Sequence, residues 1–144
     1  MKYLILAAIF ICVGCSGSYF KVNDTAFQTS DNVAADAAAV TQTLIDMGYD
    51  IEEANQQVVK TKPEQFYYAR GRMYETELQS WITVDLKKGS IKSYCTERKM
   101  YSHNGKTMKL EYDKNWRFTP CKNPHVIERI RIATEALEQS LKLT

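Results

Sequence analysis

Apolar and polar residues follow two different periods along this chain, and the switches between them mark its elements. Val33, Ala37, Val40 and Leu44 recur at spacings of four, three and four, which puts them on one face of a helix. Ser30-Asp31-Asn32 precedes this run, and short oxygen-bearing side chains of that kind accept the first free N–H groups of a helix. Alanine, the best helix former, fills the remaining positions, and Gly48 provides a residue that tolerates a left-handed stop. A second helix is expected from Asn123-Pro124, asparagine as cap and proline in the first turn, where its missing N–H costs nothing. Val126, Ile130, Ala133, Leu137 and Leu141 mark its apolar face.

Between the helices the period falls to two. Ile82, Val84 and Leu86 alternate with Thr83 and Asp85, and Ile91, Ser93 and Cys95 alternate with Lys92 and Tyr94 across a Lys87-Lys88-Gly89-Ser90 turn. His103-Asn104-Gly105-Lys106 is a hairpin turn by composition, because Asn-Gly readily takes the positive φ values of a type I′ turn. Met108, Leu110 and Tyr112 follow as a strand, and Trp116-Arg117-Phe118 as another. Upstream, Thr25–Thr29 reads as an opening strand, and Tyr49–Glu53 and Val58-Val59 as two strands about a polar break at Asn55-Gln56-Gln57. Residues 64–77 stay open: their aromatics favour strand, Arg70-Gly71-Arg72 interrupts them, and a short helix or loop also fits. The order strand, helix, strands, helix predicts an α+β fold with an antiparallel sheet of four to six strands and both helices on one face.

The first fifteen residues change the picture. Lys2 precedes an apolar run from Tyr3 to Val13, and Gly14 precedes Cys15, which is followed by Ser16, Gly17 and Ser18. A basic start, a short apolar centre and a small residue before the cut form an export signal. The run is shorter than the roughly 20 apolar residues of a spanning helix. An ordinary cleaved signal and an uncleaved anchor remain as other readings. The segment resembles the lipobox of bacterial lipoproteins, in which the cysteine is acylated and becomes the new N-terminus. Val13 and Gly14 fit that pattern, whereas Cys12 stands where leucine is usual. The resemblance implies a signal peptide over 1–14, lipidation at Cys15, a lipidated tether over 15–24 and a single domain over 25–144. It also implies the outer membrane, facing the periplasm, or more generally a cell-envelope membrane surface, because the aspartate that retains such proteins at the inner membrane is replaced by Ser16.

About 130 residues then remain, enough for one domain with a real core. Hydrophobic content of 44% and charged content of 25% are ordinary for a folded globular chain, so no disordered class is indicated. The net charge of +2 selects no partner, but its distribution is uneven. Residues 21–86 hold 5 basic and 11 acidic side chains, and residues 87–131 hold 12 basic and 4 acidic. Two cysteines stay in the body, Cys95 and Cys121, and in an oxidising compartment two thiols are more often bonded than free. Two independent buried cysteines are the alternative.

Candidate chemistry is sparse. His103 and His125 lack the spacing of zinc ligands, and no nucleophile elbow, phosphate loop or His-Glu-x-x-His occurs, so no metal and no cofactor are expected. Glu75 and Glu77 would share a face if their segment is a strand, the one arrangement that suits paired-carboxylate chemistry. The basic stretch is the best binding candidate: Lys99, Lys106 and Lys109 are interleaved with Tyr94, Tyr101, Tyr112 and Trp116. At an envelope address this suits an acidic protein or an anionic glycolipid and not nucleic acid. The alternative is that the basic sheet neutralises the acidic helix Asp31–Asp46. The phrase Leu44-Ile45-Asp46-Met47-Gly48-Tyr49, with Ile51 after it, resembles small periplasmic lipoprotein domains and the helix-grip modules of a lipoprotein component of the outer-membrane barrel-assembly machinery. Together these features lead to the expectation of a lipid-anchored, non-enzymatic envelope protein that binds another envelope component. A small hydrolase, a hydrolase inhibitor and a structural component of an envelope assembly are the alternatives.

Overall fold

The computed structural model describes residues 21–69, 74–102, 110–112 and 119–142. Helix α1 spans Val33–Asp46, and Asn32 caps it by accepting the Ala35 N–H at 3.2 Å. Gly48 ends it at φ 82°, which lets the Tyr49 N–H reach the Leu44 carbonyl at 2.9 Å. Helix α2 spans Pro124–Lys142, with the Asn123 side-chain oxygen accepting the N–H groups of His125 at 3.0 Å and Val126 at 3.3 Å. Both caps fall where the sequence places them.

The strands are β1 (Lys21–Ala26), β2 (Ile51–Ala54), β3 (Val58–Thr61), β4 (Glu64–Ala69), β5 (Tyr74–Asp85), β6 (Ser90–Ser102), β7 (Leu110–Tyr112) and β8 (Thr119–Pro120). All pairings are antiparallel and join one sheet. Its spine is the β5–β6 hairpin, paired from Tyr74↔Tyr101 to Asp85↔Ser90. On the far side of β5 lie β3 and β4, end to end, with β2 beyond β3. On the far side of β6 lie β1, β8 and β7. The sheet thus has eight strands in the described residues, more than the four to six expected. The excess arises because each spine strand, 12 and 13 residues long, is flanked by several short strands in succession.

Two further differences have tertiary causes. The opening strand is Lys21–Ala26 and not Thr25–Thr29, because pairing with β6, for example Asp24↔Lys92, sets its bounds. It takes in residues read from sequence as tether. Of residues 64–77, the described part is strand, since β4 pairs with β5 from Glu64↔Ser80 to Ala69↔Glu75. The expected turn at His103–Lys106 and the strand at Trp116–Phe118 lie outside the described residues, while the Leu110–Tyr112 part of the intervening strand is present as β7.

Both helices pack on one face. Val40 and Leu44 of α1 and Ala133, Leu137 and Leu141 of α2 share a core with Val59, Ile82, Val84 and Ile91. A second cluster joins Leu78 and Cys95 to Val126 and Ile130. The inward residues of β5 and β6 include Ser80 and Ser93, each at most 1% exposed. Cys95 and Cys121 are joined in a disulfide, Cα atoms 5.3 Å apart, which fastens β6 to the residue next to β8 just before α2.

Where β3 gives way to β4 the ladder bulges. Thr61, Lys62 and Pro63 lie between the pairs Lys60↔Thr83 and Glu64↔Ser80, against only Trp81 and Ile82 on β5. Proline suits this place because it has no N–H to donate. The Ile82 N–H donates instead to the Thr61 hydroxyl at 3.0 Å, in a fully buried position. Thr61→Val keeps the shape and removes that acceptor, so it is expected to cost about 1–3 kcal/mol. A urea denaturation midpoint equal to that of the parent protein would contradict this role.

Candidate functional site

Two constellations of polar and aromatic side chains stand out. The first closes the corner between the α1–β2 connection, β4 and α2. Glu64 accepts two bonds from Arg129, from Nη2 at 2.7 Å and from Nε at 3.2 Å, and the guanidinium lies 4.9 Å from the centre of the Tyr49 ring. Tyr49 is 3% exposed. Burial pushes its phenol up to about 12, the Glu64 carboxylate adds to the rise, and Arg129 opposes it. The phenol is therefore neutral throughout the physiological range. Three elements meet here through one bidentate pair and one cation–π contact, which makes this corner a fastening. It also accounts for the Gly48-Tyr49 part of the phrase noted in the sequence: glycine turns the chain and tyrosine drops into the core.

The second constellation lies on the sheet face that carries no helix. Residues of β5 and β6 alternate, so the phase opposite Leu78, Ile82 and Val84 presents Glu77, Gln79, Trp81, Thr83 and Asp85. On β6 the same face carries Lys92, Tyr94, Thr96 and Arg98. Trp81 pairs directly with Tyr94, and their rings stack with centroids 5.1 Å apart and planes 16° from parallel. Beside them, at the bulge, an open groove of about 420 Å³ is lined by Lys60, Pro63, Gln79, Trp81, Thr83 and Tyr94. Lys60 Nζ is 2.7 Å from the Glu52 carboxylate, so its charge is matched by an acid at the groove's edge. Lower on the same face Arg98 is ion-paired with Glu77, whose side chain is 3% exposed.

A second concavity, about 960 Å³, lies between the β1–α1 connection and the end of α2, near Ser30, Asp31, Glu138 and Lys142. It gathers no aromatic pair. Among the described residues no group of three or more His, Cys, Asp or Glu side chains is placed to hold a metal. No helix among them is long and apolar enough to cross a membrane.

The residues picked out from sequence fare unevenly. Cys95 and Cys121 come together as a disulfide. Lys99 lies in β6 opposite Thr76, whereas Cys15, Lys106, Lys109 and Trp116 lie outside the described residues. Of the two acids considered for paired-carboxylate chemistry, Glu75 lies in β5 opposite Met100, and Glu77 is committed to Arg98. The basic stretch reaches across to acids of the sheet, through Arg98 to Glu77 and Arg129 to Glu64. Trp81 was legible and missed: it is a large aromatic on the polar phase of a strand whose apolar phase is Ile82, Val84 and Leu86. No family profile matches this chain, and no curated protein or solved structure does.

Proposed function

We propose that the protein is a lipid-anchored component of a bacterial cell envelope that binds another envelope component without transforming it. The observation that carries this reading is the run from Lys2 to Gly14 closed by Cys15, with small polar residues directly after it. The Cys95–Cys121 disulfide supports it, because such bonds persist in oxidising compartments and are rare in the cytosol. The start of the domain supports it too. β1 begins at Lys21, and the chain from Cys15 to Lys21 can span on the order of 20 Å at most. An acyl group on Cys15 would therefore hold the sheet edge within about one domain diameter of the bilayer. Ser16 after the acylated residue favours the outer membrane where the cell has one.

One substitution tests the address. Cys15→Ser removes the acylation site and leaves the domain unchanged. The parent protein is expected in the membrane fraction and to need detergent for release, and the variant is expected to leave that fraction. A parent protein recovered wholly in the soluble cytoplasmic fraction would overturn the proposal.

A further inference from the structure

We propose that the groove beside Trp81 and Tyr94 is a binding site for a neutral sugar, a short stretch of an envelope glycan. This deepens the envelope-binding reading and rests on it for the identity of the glycan. The groove's volume, about 420 Å³, lies within the range of small-molecule sites. Its lining combines what a sugar ring presents: an aromatic surface for the C–H face, and the Gln79 amide, the Thr83 hydroxyl and the Lys60 ammonium for the hydroxyl edge.

Other ligand classes fit less well. An acyl chain would strip water from Lys60, Gln79 and Thr83 without replacing their bonds. An extended peptide adding as a strand needs a free backbone edge, and β5 is paired on both sides at this level, to β6 through Trp81↔Tyr94 and to β3 through Lys60↔Thr83. A phosphate or other dense anion needs surplus positive charge, and among the described residues the cation lining this groove, Lys60, is matched by Glu52. The bulge at Thr61–Pro63 sits across from Trp81, and bulges are over-represented at sheet edges, at barrel rims and next to active sites, where they re-aim a side chain or end the pairing. Trp81 itself stands on a central strand, so the platform is held rigid before any ligand arrives.

The test uses the mature acylated protein in detergent, with Trp116 replaced by Phe so that Trp81 is the sole indole. Chitotetraose, cellotetraose and maltotetraose are titrated while tryptophan emission and heat are followed. At least one of them is expected to bind saturably and to shift the Trp81 emission. Gln79→Ala, and separately Trp81→Leu, should weaken that binding about tenfold. Gln79 lies on the open face and donates to Glu77 at 3.0 Å, a carboxylate that Arg98 also holds, so its variant reports on the site even if Trp81→Leu proves unstable. Absence of saturable binding to all three sugars overturns the proposal, and so does binding that Gln79→Ala leaves unchanged. Fractionation keeps the two proposals separate. A membrane-bound protein that binds no sugar sinks only the groove, and a cytosolic protein that binds one sinks only the envelope address.

Discussion

Gly89→Ala is expected to cost the domain about 3–5 kcal/mol, a large share of the 5–15 kcal/mol that holds a domain folded. Gly89 closes the β5–β6 turn at φ 64°, a conformation that costs an L-residue with a side chain roughly 1–2 kcal/mol. The larger effect is a collision. A Cβ at this position would lie 2.4 Å from the carbonyl oxygen of Phe27, and that oxygen belongs to backbone, which has little freedom to give way. Moving either segment breaks the bond from the Phe27 N–H to the Gly89 carbonyl, 2.9 Å long, and shifts Phe27, which packs against the main core. Gly48 supplies the control. It also has positive φ, at 82°, but its nearest neighbour is the Arg129 guanidinium, 4.0 Å away at the end of a flexible side chain. Gly48→Ala should therefore cost only about 1–2 kcal/mol. Urea denaturation of the two variants reads the difference, and equal losses would show that the close approach of Phe27 to the turn is not a real constraint.

Breaking the Cys95–Cys121 bond is the second large effect. The two cysteines are 26 residues apart in sequence, and freeing a loop of that size adds unfolded-state entropy equivalent to roughly 3–4 kcal/mol. The segment released includes β8, two residues paired to Thr96 and Glu97, with the Glu97 carboxylate accepting the Lys122 N–H at 3.2 Å. Cys95 is fully buried between Leu78, Val126 and Ile130, so Cys95→Ala with Cys121→Ala also thins that satellite core. The double variant is expected to unfold at a clearly lower urea concentration. Reductant should lower the midpoint of the parent protein by a similar amount and leave that of the double variant where it is. A parent midpoint indifferent to reductant under conditions shown to reduce the bond would contradict the structural weight assigned to it.

The helices were legible down to their caps because every signal for them is local. The apolar spacing, Asn32, Asn123, Pro124 and Gly48 all act within a few residues of where they sit. The sheet was legible in its middle and obscure at its margins. Ile82–Leu86 and Ile91–Cys95 carry clean alternation because one face of the spine is core and the other is not. Thr76 and Glu77 lack that contrast: as successive residues they point to opposite faces, yet both are buried, so alternation cannot show there. β8 has no local signal at all, since a Thr-Pro pair becomes strand only through its register with β6 and the disulfide beside it. The candidate site divides in the same way. Trp81 could be found by its phase along β5, but Lys60 and Pro63 join it only through the bulge between β3 and β4, which depends on pairing across 20 or so residues of chain.

The most direct measurement is intact-mass and N-terminal peptide mass spectrometry of the protein extracted from the membranes of its native cell. A chain that begins at Cys15, with residues 1–14 gone and a diacylglyceryl group in thioether linkage to that sulfur, is the predicted result. A chain that retains Met1 with an unmodified thiol at Cys15 would contradict it.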